Sequence, residues 1–172
     1  SGVATFSGLG AYGLVSNTNV LTFSSGSLST ATQSFNLTHG AAYQLAITTS
    51  ASGATNRSAF TVQPVVEIRD QDGNRVTTGT QATQDVVASS SAATLGGTVT
   101  KPAVAGVATF TDLKLTGTAA ASITLTYTIS SPSTKTTTQT IALVAGAPTQ
   151  LIVKTAAASC QSRIACVTAP VI

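Results

Sequence analysis

The pentapeptide Gly2-Val3-Ala4-Thr5-Phe6 returns 104 positions later as Gly106-Val107-Ala108-Thr109-Phe110. Two further echoes follow at an offset of 106. Gln44-Leu45-Ala46-Ile47 matches Gln150-Leu151-Ile152-Val153, and Gln63-Pro64-Val65-Val66 matches Ala169-Pro170-Val171-Ile172. The second copy therefore carries two extra residues between the first echo and the others. A period of this length is a whole small domain, far longer than the roughly 20–50 residues of a solenoid turn. The spacing divides the 172 residues into three expected units. Residues 1–40 read as the C-terminal part of one module, 41–146 as a complete module, and 147–172 as the N-terminal strands of another. With no initiating Met and no basic, apolar leader, the chain reads as an internal segment or a processed product.

Alternation with period 2 dominates, and helical spacing is hard to find. Ile123, Leu125, Tyr127 and Ile129 alternate with three threonines, which predicts a strand over 123–129 with one apolar face. Its counterpart is 19–23, with Leu21 and Phe23 in the places of Leu125 and Tyr127. The next strand carries Ile141 and Leu143, with Phe35 and Leu37 as equivalents, and the following copy opens on Leu151 and Val153, matching Leu45 and Ile47. Further strands are expected at 60–62, 65–70, 85–90 and 107–115. Asp72-Gly73-Asn74 signals a tight hairpin, because Gly and Asn tolerate positive φ. Gly96-Gly97, Gly106, Gly117 and Ser131-Pro132-Ser133 mark other turns. About seven short strands per copy, separated by turns, describe an all-β, two-sheet immunoglobulin-like sandwich repeated in tandem. Only a few residues separate Leu37 from Ala41 and Leu143 from Pro148, too few for a flexible tether. Successive modules should therefore stand end to end.

Composition narrows the function classes. Charged residues are 8% of the chain, against about 25% in ordinary soluble domains. Ser and Thr supply about 30%, so hydroxyls rather than charges keep the surface wet. The net charge of +3 arises from few acids, and the bases are scattered singly. Nucleic-acid binding needs a clustered basic face, so no nucleic-acid partner is expected. No apolar run reaches the roughly 18 residues of a membrane span.

The strings Gly106-Val107-Ala108-Thr109-Phe110-Thr111-Asp112-Leu113 and Val66-Glu67-Ile68-Arg69-Asp70-Gln71-Asp72-Gly73-Asn74-Arg75-Val76 carry a resemblance. Together they resemble the bacterial immunoglobulin-like repeats of invasin- and intimin-type adhesins and of very large bacterial surface proteins. That resemblance spans nearly the whole chain. It implies an extracellular, cell-surface sandwich serving as a stalk or adhesive module, without catalysis and without a cofactor. Its partners would be neighbouring modules and other rods of the same kind, in lateral or end-to-end contact. Receptor binding in such adhesins usually resides in a specialised terminal domain, and nothing here looks like one.

Candidate chemistry is sparse. Cys160 and Cys166 lie six apart with no His nearby, which is not a zinc pattern. In an exported chain they are expected to form a local disulfide, at positions that Ala54 and Phe60 occupy in the earlier copy. Asp70, Asp72 and Asn74 alternate as calcium ligands can, yet the continuation of an EF-hand loop is missing. A hairpin turn in which Asp70 caps local backbone is the preferred reading. His39 is the sole histidine and is expected to be a solvent-exposed link residue. Glu67 is the sole glutamate, which excludes paired-glutamate chemistry. An isopeptide lock through Lys154 is disfavoured because its counterpart is Thr48. Asn36-Leu37-Thr38 and Asn56-Arg57-Ser58 match an N-glycosylation pattern, and in a bacterial protein such matches are mostly chance. A strand-exchanging fibre subunit is one alternative. The other is an accessory carbohydrate-binding module, disfavoured by the absence of Trp and a total of three Tyr.

Overall fold

A computed structural model describes residues 2–172. Apart from one 3-10 turn at Thr80–Ala82, every regular element is a strand. The first hairpin joins β1 (Ser16–Phe23) to β2 (Ala31–Leu37). The central unit contains β3 (Gln44–Thr49), β4 (Ala54–Thr55), β5 (Val65–Arg69), β6 (Asp85–Ser90) and β7 (Thr94–Gly96). It continues with β8 (Thr100–Pro102), β9 (Val107–Thr109), β10 (Lys114–Thr116), β11 (Ala120–Ile129) and β12 (Lys135–Val144).

Two sheets enclose the core. One has the order β4-β12-β11-β6-β8 and the other β3-β5-β9. All pairings are antiparallel except β12 with β4. The alternating faces meet as period 2 requires. Leu45, Val66, Ile68 and Ala108 point inward from the small sheet, opposed by Val86, Ala88, Ile123, Leu125, Tyr127, Ile129, Ile141 and Leu143 from the large one. Phe110 and Tyr127 pack ring to ring at 5.7 Å in the centre. Threonines of β11 and β12 take the outer faces, where a β-branched hydroxyl suits a half-wet pleat.

The expected strand over 107–115 is broken. β9 belongs to the small sheet, whereas β10 pairs with β7 in a separate two-stranded ribbon. The buried residues explain it: Ala108, Phe110, Leu113 and Leu115 are inward, and the step from 110 to 113 is out of phase with a period of 2. Two side chains hold the switch. Gln63 Oε1 accepts from Leu113 N at 3.0 Å while its Nε2 donates to Leu113 O at 3.0 Å. Asp112 accepts from Thr98 N and Thr98 Oγ1 at 2.9 and 3.0 Å. The expected strand at 60–62 is reduced to isolated bridges, with Phe60 N donating to Leu113 O.

Gly106 shows why the echoed motif begins with glycine. Its φ is 78°, its N–H donates to Ala82 O and its carbonyl accepts from Ile68 N. A Cβ there would overlap the Val76 carbonyl, so only glycine fits.

The echo extends to hydrogen bonding. In the first hairpin Asn19 faces Phe35, Leu21 faces Gln33 and Phe23 faces Ala31. In β11–β12 the equivalent residues make the same pairs: Ile123 with Ile141, Leu125 with Gln139 and Tyr127 with Thr137. Both hairpins shift register at one place, after Ser16 and after Ala120. The two extra residues fall at the hairpin tip, where β11–β12 gains Thr128–Thr136 and Ile129–Lys135 pairs. Residues 155–171 copy an earlier loop in the same way. The bridges Thr155–Val171 and Ala158–Thr168 stand where Thr49–Val65 and Ser52–Val62 stand. Ser159 and Arg163 adopt positive φ where Gly53 and Arg57 do. Burial differs, however. Gly2–Phe6 forms no strand and is exposed, and Leu151 and Val153 are 85% and 60% exposed, outside any strand. Among the described residues no strand pairs with Gly2–Phe6, and a segment without a partner strand leaves its amides to water.

Tyr127 carries a cost. Its hydroxyl is buried and has no hydrogen-bond partner among the described residues. Burial also raises its pKa well above the usual tyrosine value. In the unfolded chain the phenol ionises near pH 10, so the stability it contributes is complete below that pH. That stability is lost as pH rises toward the folded value. Tyr127→Phe is expected to gain about 1 kcal/mol at pH 7 and to flatten the decline above pH 10. Urea titrations at both pH values measure this, and an unchanged alkaline decline would contradict it.

Candidate functional site

The most densely bonded polar cluster lies where the link after β2 meets the turn after β5. The turn forms as the Asp-Gly-Asn string implies: Asp70 N donates to Asn74 O at 2.8 Å, Gly73 has φ 87°, and Arg75 returns opposite Arg69. Asp70 is 3% exposed, and its carboxylate receives four N–H groups. Oδ1 accepts from Asp72 N at 3.0 Å and Asn74 N at 2.8 Å, while Oδ2 accepts from Gly40 N at 2.8 Å and Asn74 Nδ2 at 3.0 Å. Burial alone would push this carboxyl up. The hydrogen bonds from the Asn74 side chain and from the Gly40, Asn74 and Asp72 amides outweigh it, and the pKa lies below the ordinary value.

Asn74 extends the clasp to the first hairpin. Its Oδ1 accepts from Val15 N at 2.8 Å and its Nδ2 donates to Gly13 O at 2.9 Å. Ala42 N donates to Gln81 Oε1, and Tyr43 N donates to Arg69 O, both at 2.8 Å. The link between β2 and β3 is thus tied to the central unit at successive positions.

His39 belongs to this junction instead of being an exposed link residue. It is half-buried. Thr78 N donates to Nε2 at 3.2 Å, which makes Nε2 the acceptor and leaves Nδ1–H to donate to Gly40 O at 2.9 Å. The Thr78 hydroxyl also contacts Nε2, at 3.0 Å. No carboxylate orients the ring, so a catalytic base of the triad kind is not assembled around it.

The calcium candidates Asp70, Asp72 and Asn74 come together, but as a donor clasp. A cation needs the oxygens that four N–H groups already occupy, and those N–H dipoles point their positive ends into the site. Among the described residues no group of three His, Cys, Asp or Glu side chains could hold a metal ion. Glu67 is held by Arg69, with Nε and Nη2 both on Oε2 at 3.0 and 2.8 Å, and lies 3.8 Å from Arg75. This trio lines a groove of about 660 Å³ beside the junction, together with Val15, His39 and Asn74. A second groove of about 490 Å³ opens on the Tyr12–Tyr43 side. Sequence reasoning missed both, because their walls come from segments tens of residues apart.

Cys160 and Cys166 are disulfide-bonded. Their equivalents Ala54 and Phe60 are both buried in the core, so the bridge stands where the earlier segment carries two core side chains. Shutting a loop this short contributes about 2 kcal/mol in the chain-entropy account. Reduction should raise amide exchange over 155–171 severalfold and leave the thermal midpoint of the central unit unchanged. A fall of that midpoint on reduction would show that the bridge supports the main core. Lys154 is exposed, so no buried lysine is present there for an isopeptide lock. Asn36 is exposed, and Asn56 Oδ1 accepts from Gly117 N at 3.1 Å. Among the described residues no helix is long and apolar enough to cross a membrane.

Compared with family models, with curated proteins and with solved structures, the chain matches none.

Proposed function

We propose that this chain is part of an extracellular bacterial structural or adhesive array, a stalk or surface fibre of immunoglobulin-like modules in series. Its role in this reading is mechanical and non-catalytic. The observation that carries it is the agreement of strand register between the two hairpins, down to the shared irregularity after Ser16 and Ala120. Sequence echoes that recur as identical hydrogen-bond patterns are what duplication of a folded unit produces. The Asp70–Asn74 clasp supports stiffness, since it ties Gly13, Val15 and Gly40 to the central unit in place of a loose tether. At about 3.3 Å per strand residue each module adds roughly 35–45 Å to such a rod. Low charge weakens repulsion between neighbouring rods and favours lateral bundling. The disulfide agrees with an oxidising, exported setting.

Small-angle scattering of the dilute chain tests the rod. A compact chain of this size has a radius of gyration of about 16 Å, and the proposal expects clearly more, with a maximum dimension above about 70 Å. A compact value at full folding would sink it.

A strand-exchanging assembly has one observation of its own. Leu21, Phe23, Phe35 and Leu37 are only half-buried, whereas their equivalents in β11–β12 lie under β3 and β5. A segment like 147–172 from another copy would cover that face. Sedimentation velocity over a hundredfold concentration range tests it, and a constant sedimentation coefficient would exclude it.

A further inference from the structure

We infer that the groove on the Tyr12–Tyr43 side of the junction is a binding site for a neutral, β-linked oligosaccharide. The chain has three tyrosines, and one of them, Tyr127, is locked in the core. The other two line this groove, 89% and 48% exposed. Isolated exposed aromatics are ordinary on protein surfaces. Here both available rings share one concavity with Gln71, Asp72, Ser133 and Lys135, whose parent segments are far apart in sequence.

The groove is built on fixed backbone. Tyr43 N donates to Arg69 O at 2.8 Å, and the next side chain, Gln44, donates from Nε2 to Asp70 O at 2.9 Å. Gly40 and Asp70 in the lining belong to the clasp itself. Lys135 Nζ lies over the Tyr43 ring, 4.4 Å from its centre, so the ammonium covers one face of that ring and Tyr12 supplies the open one. The side chains of Gln71, Asp72 and Ser133 make no hydrogen bond with protein among the described residues, so their polar atoms are free for a ligand.

The chemistry of these groups selects the ligand class. A β-linked chain of pyranoses is extended, because its linkages are equatorial, and turns flat patches of axial C–H, slightly positive, to the negative face of an aromatic ring, whereas an α-linked chain coils. Its hydroxyls both donate and accept, and the groove offers an acceptor in Asp72, a donor in Lys135 and both in Gln71 and Ser133. Two carboxylates, Asp70 and Asp72, against the single ammonium of Lys135 leave the groove slightly negative, which disfavours uronic acids. A volume of about 490 Å³ lies within the range of ligand sites. The larger groove has no Phe, Tyr or Trp in its lining, and its charged groups already bond one another.

The test is a chemical-shift titration of the ¹⁵N-labelled chain with four hexasaccharides: cellohexaose, chitohexaose, α-linked maltohexaose and anionic hexagalacturonate. Saturable shifts confined to residues near 11–12, 40–43, 71–72 and 132–135 are expected with at least one β-linked neutral probe. The dissociation constant should fall below about 1 mM. Tyr43→Ala should weaken binding at least tenfold, and Asp72→Asn severalfold. Tyr12→Ala serves where Tyr43→Ala disturbs the fold, because Tyr12 is exposed and outside every strand; it too should weaken binding at least threefold. Absence of saturable shifts at 10 mM, shifts centred elsewhere, tighter binding of the α-linked or anionic probe, or unchanged affinity in folded Tyr12→Ala would each overturn the assignment. A compact scattering profile would not affect it.

Discussion

Phe110→Ala is expected to lower the unfolding free energy by about 3–5 kcal/mol, whereas Phe6→Ala, at the same place in the echoed pentapeptide, should change it by less than about 0.5 kcal/mol. Phe110 is 1% exposed and packs on Tyr127 between the two sheets. Truncation removes its transfer energy and leaves a cavity that Ala108, Leu113 and Leu125, all fully buried, cannot easily fill. Phe6 is 58% exposed, lies outside any strand and packs on the Phe23 ring at 5.2 Å. Against a typical total of about 5–15 kcal/mol, the first change removes a large share of the stability of the central unit. Urea denaturation of the two variants side by side measures the contrast. Equal losses would mean that residues 2–6 are packed as tightly as residues 106–110, contrary to the structure.

The second large effect is at the clasp. Asp70→Ala is expected to cost about 2–3 kcal/mol, because four donors lose a charged acceptor in a site that water reaches poorly. Amide exchange should rise at Gly40, Asn74 and Val15 together, since all three are tied through Asp70 or its partner Asn74. Asp72→Ala, whose side chain is exposed and unbonded, is the control and should stay within about 0.5 kcal/mol. The pH dependence has a fixed sign. The folded pKa of Asp70 lies below the ordinary aspartate value, so its contribution is complete above that value and is lost as pH falls through the folded one. As pH falls below about 4, where a free aspartate takes up its proton, the wild-type chain should lose stability more steeply than Asp70→Ala. Parallel acid curves for the two proteins would show that the carboxylate is not held by these bonds.

Much of the sandwich was legible from residue order. The alternation Ile123, Leu125, Tyr127, Ile129 became the buried face of β11, each residue 0–1% exposed. The expected strand at 85–90 coincides with β6, and the one at 65–70 is β5 less its last residue. The Asp-Gly-Asn turn appeared where glycine and asparagine allow it. Short edge strands escaped notice. β7 and β8 span three residues each, too few for a period to register. The break between β9 and β10 did leave a trace, the three-residue step from Phe110 to Leu113, and reading 107–115 as one strand overlooked it. The junction was half visible. A short link could be seen, but not that Asp70 would receive Gly40, nor that Asn74 would reach back to Gly13 and Val15. Those bonds join positions 30, 59 and 61 residues apart, and no local pattern encodes such contacts.

Residue order by itself determined the strand period, the turn chemistry, the scarcity of helix and the echoed strings with their offsets of 104 and 106 residues. Tertiary structure alone decided which copy of a repeated string becomes a strand. Gly-Val-Ala-Thr-Phe pairs with β5 and is buried at 106–110, and it lies exposed and unpaired at 2–6. The reason is that a strand satisfies its amides and hides its apolar face only against a neighbour, so the same five residues have no conformation of their own until a partner strand supplies one.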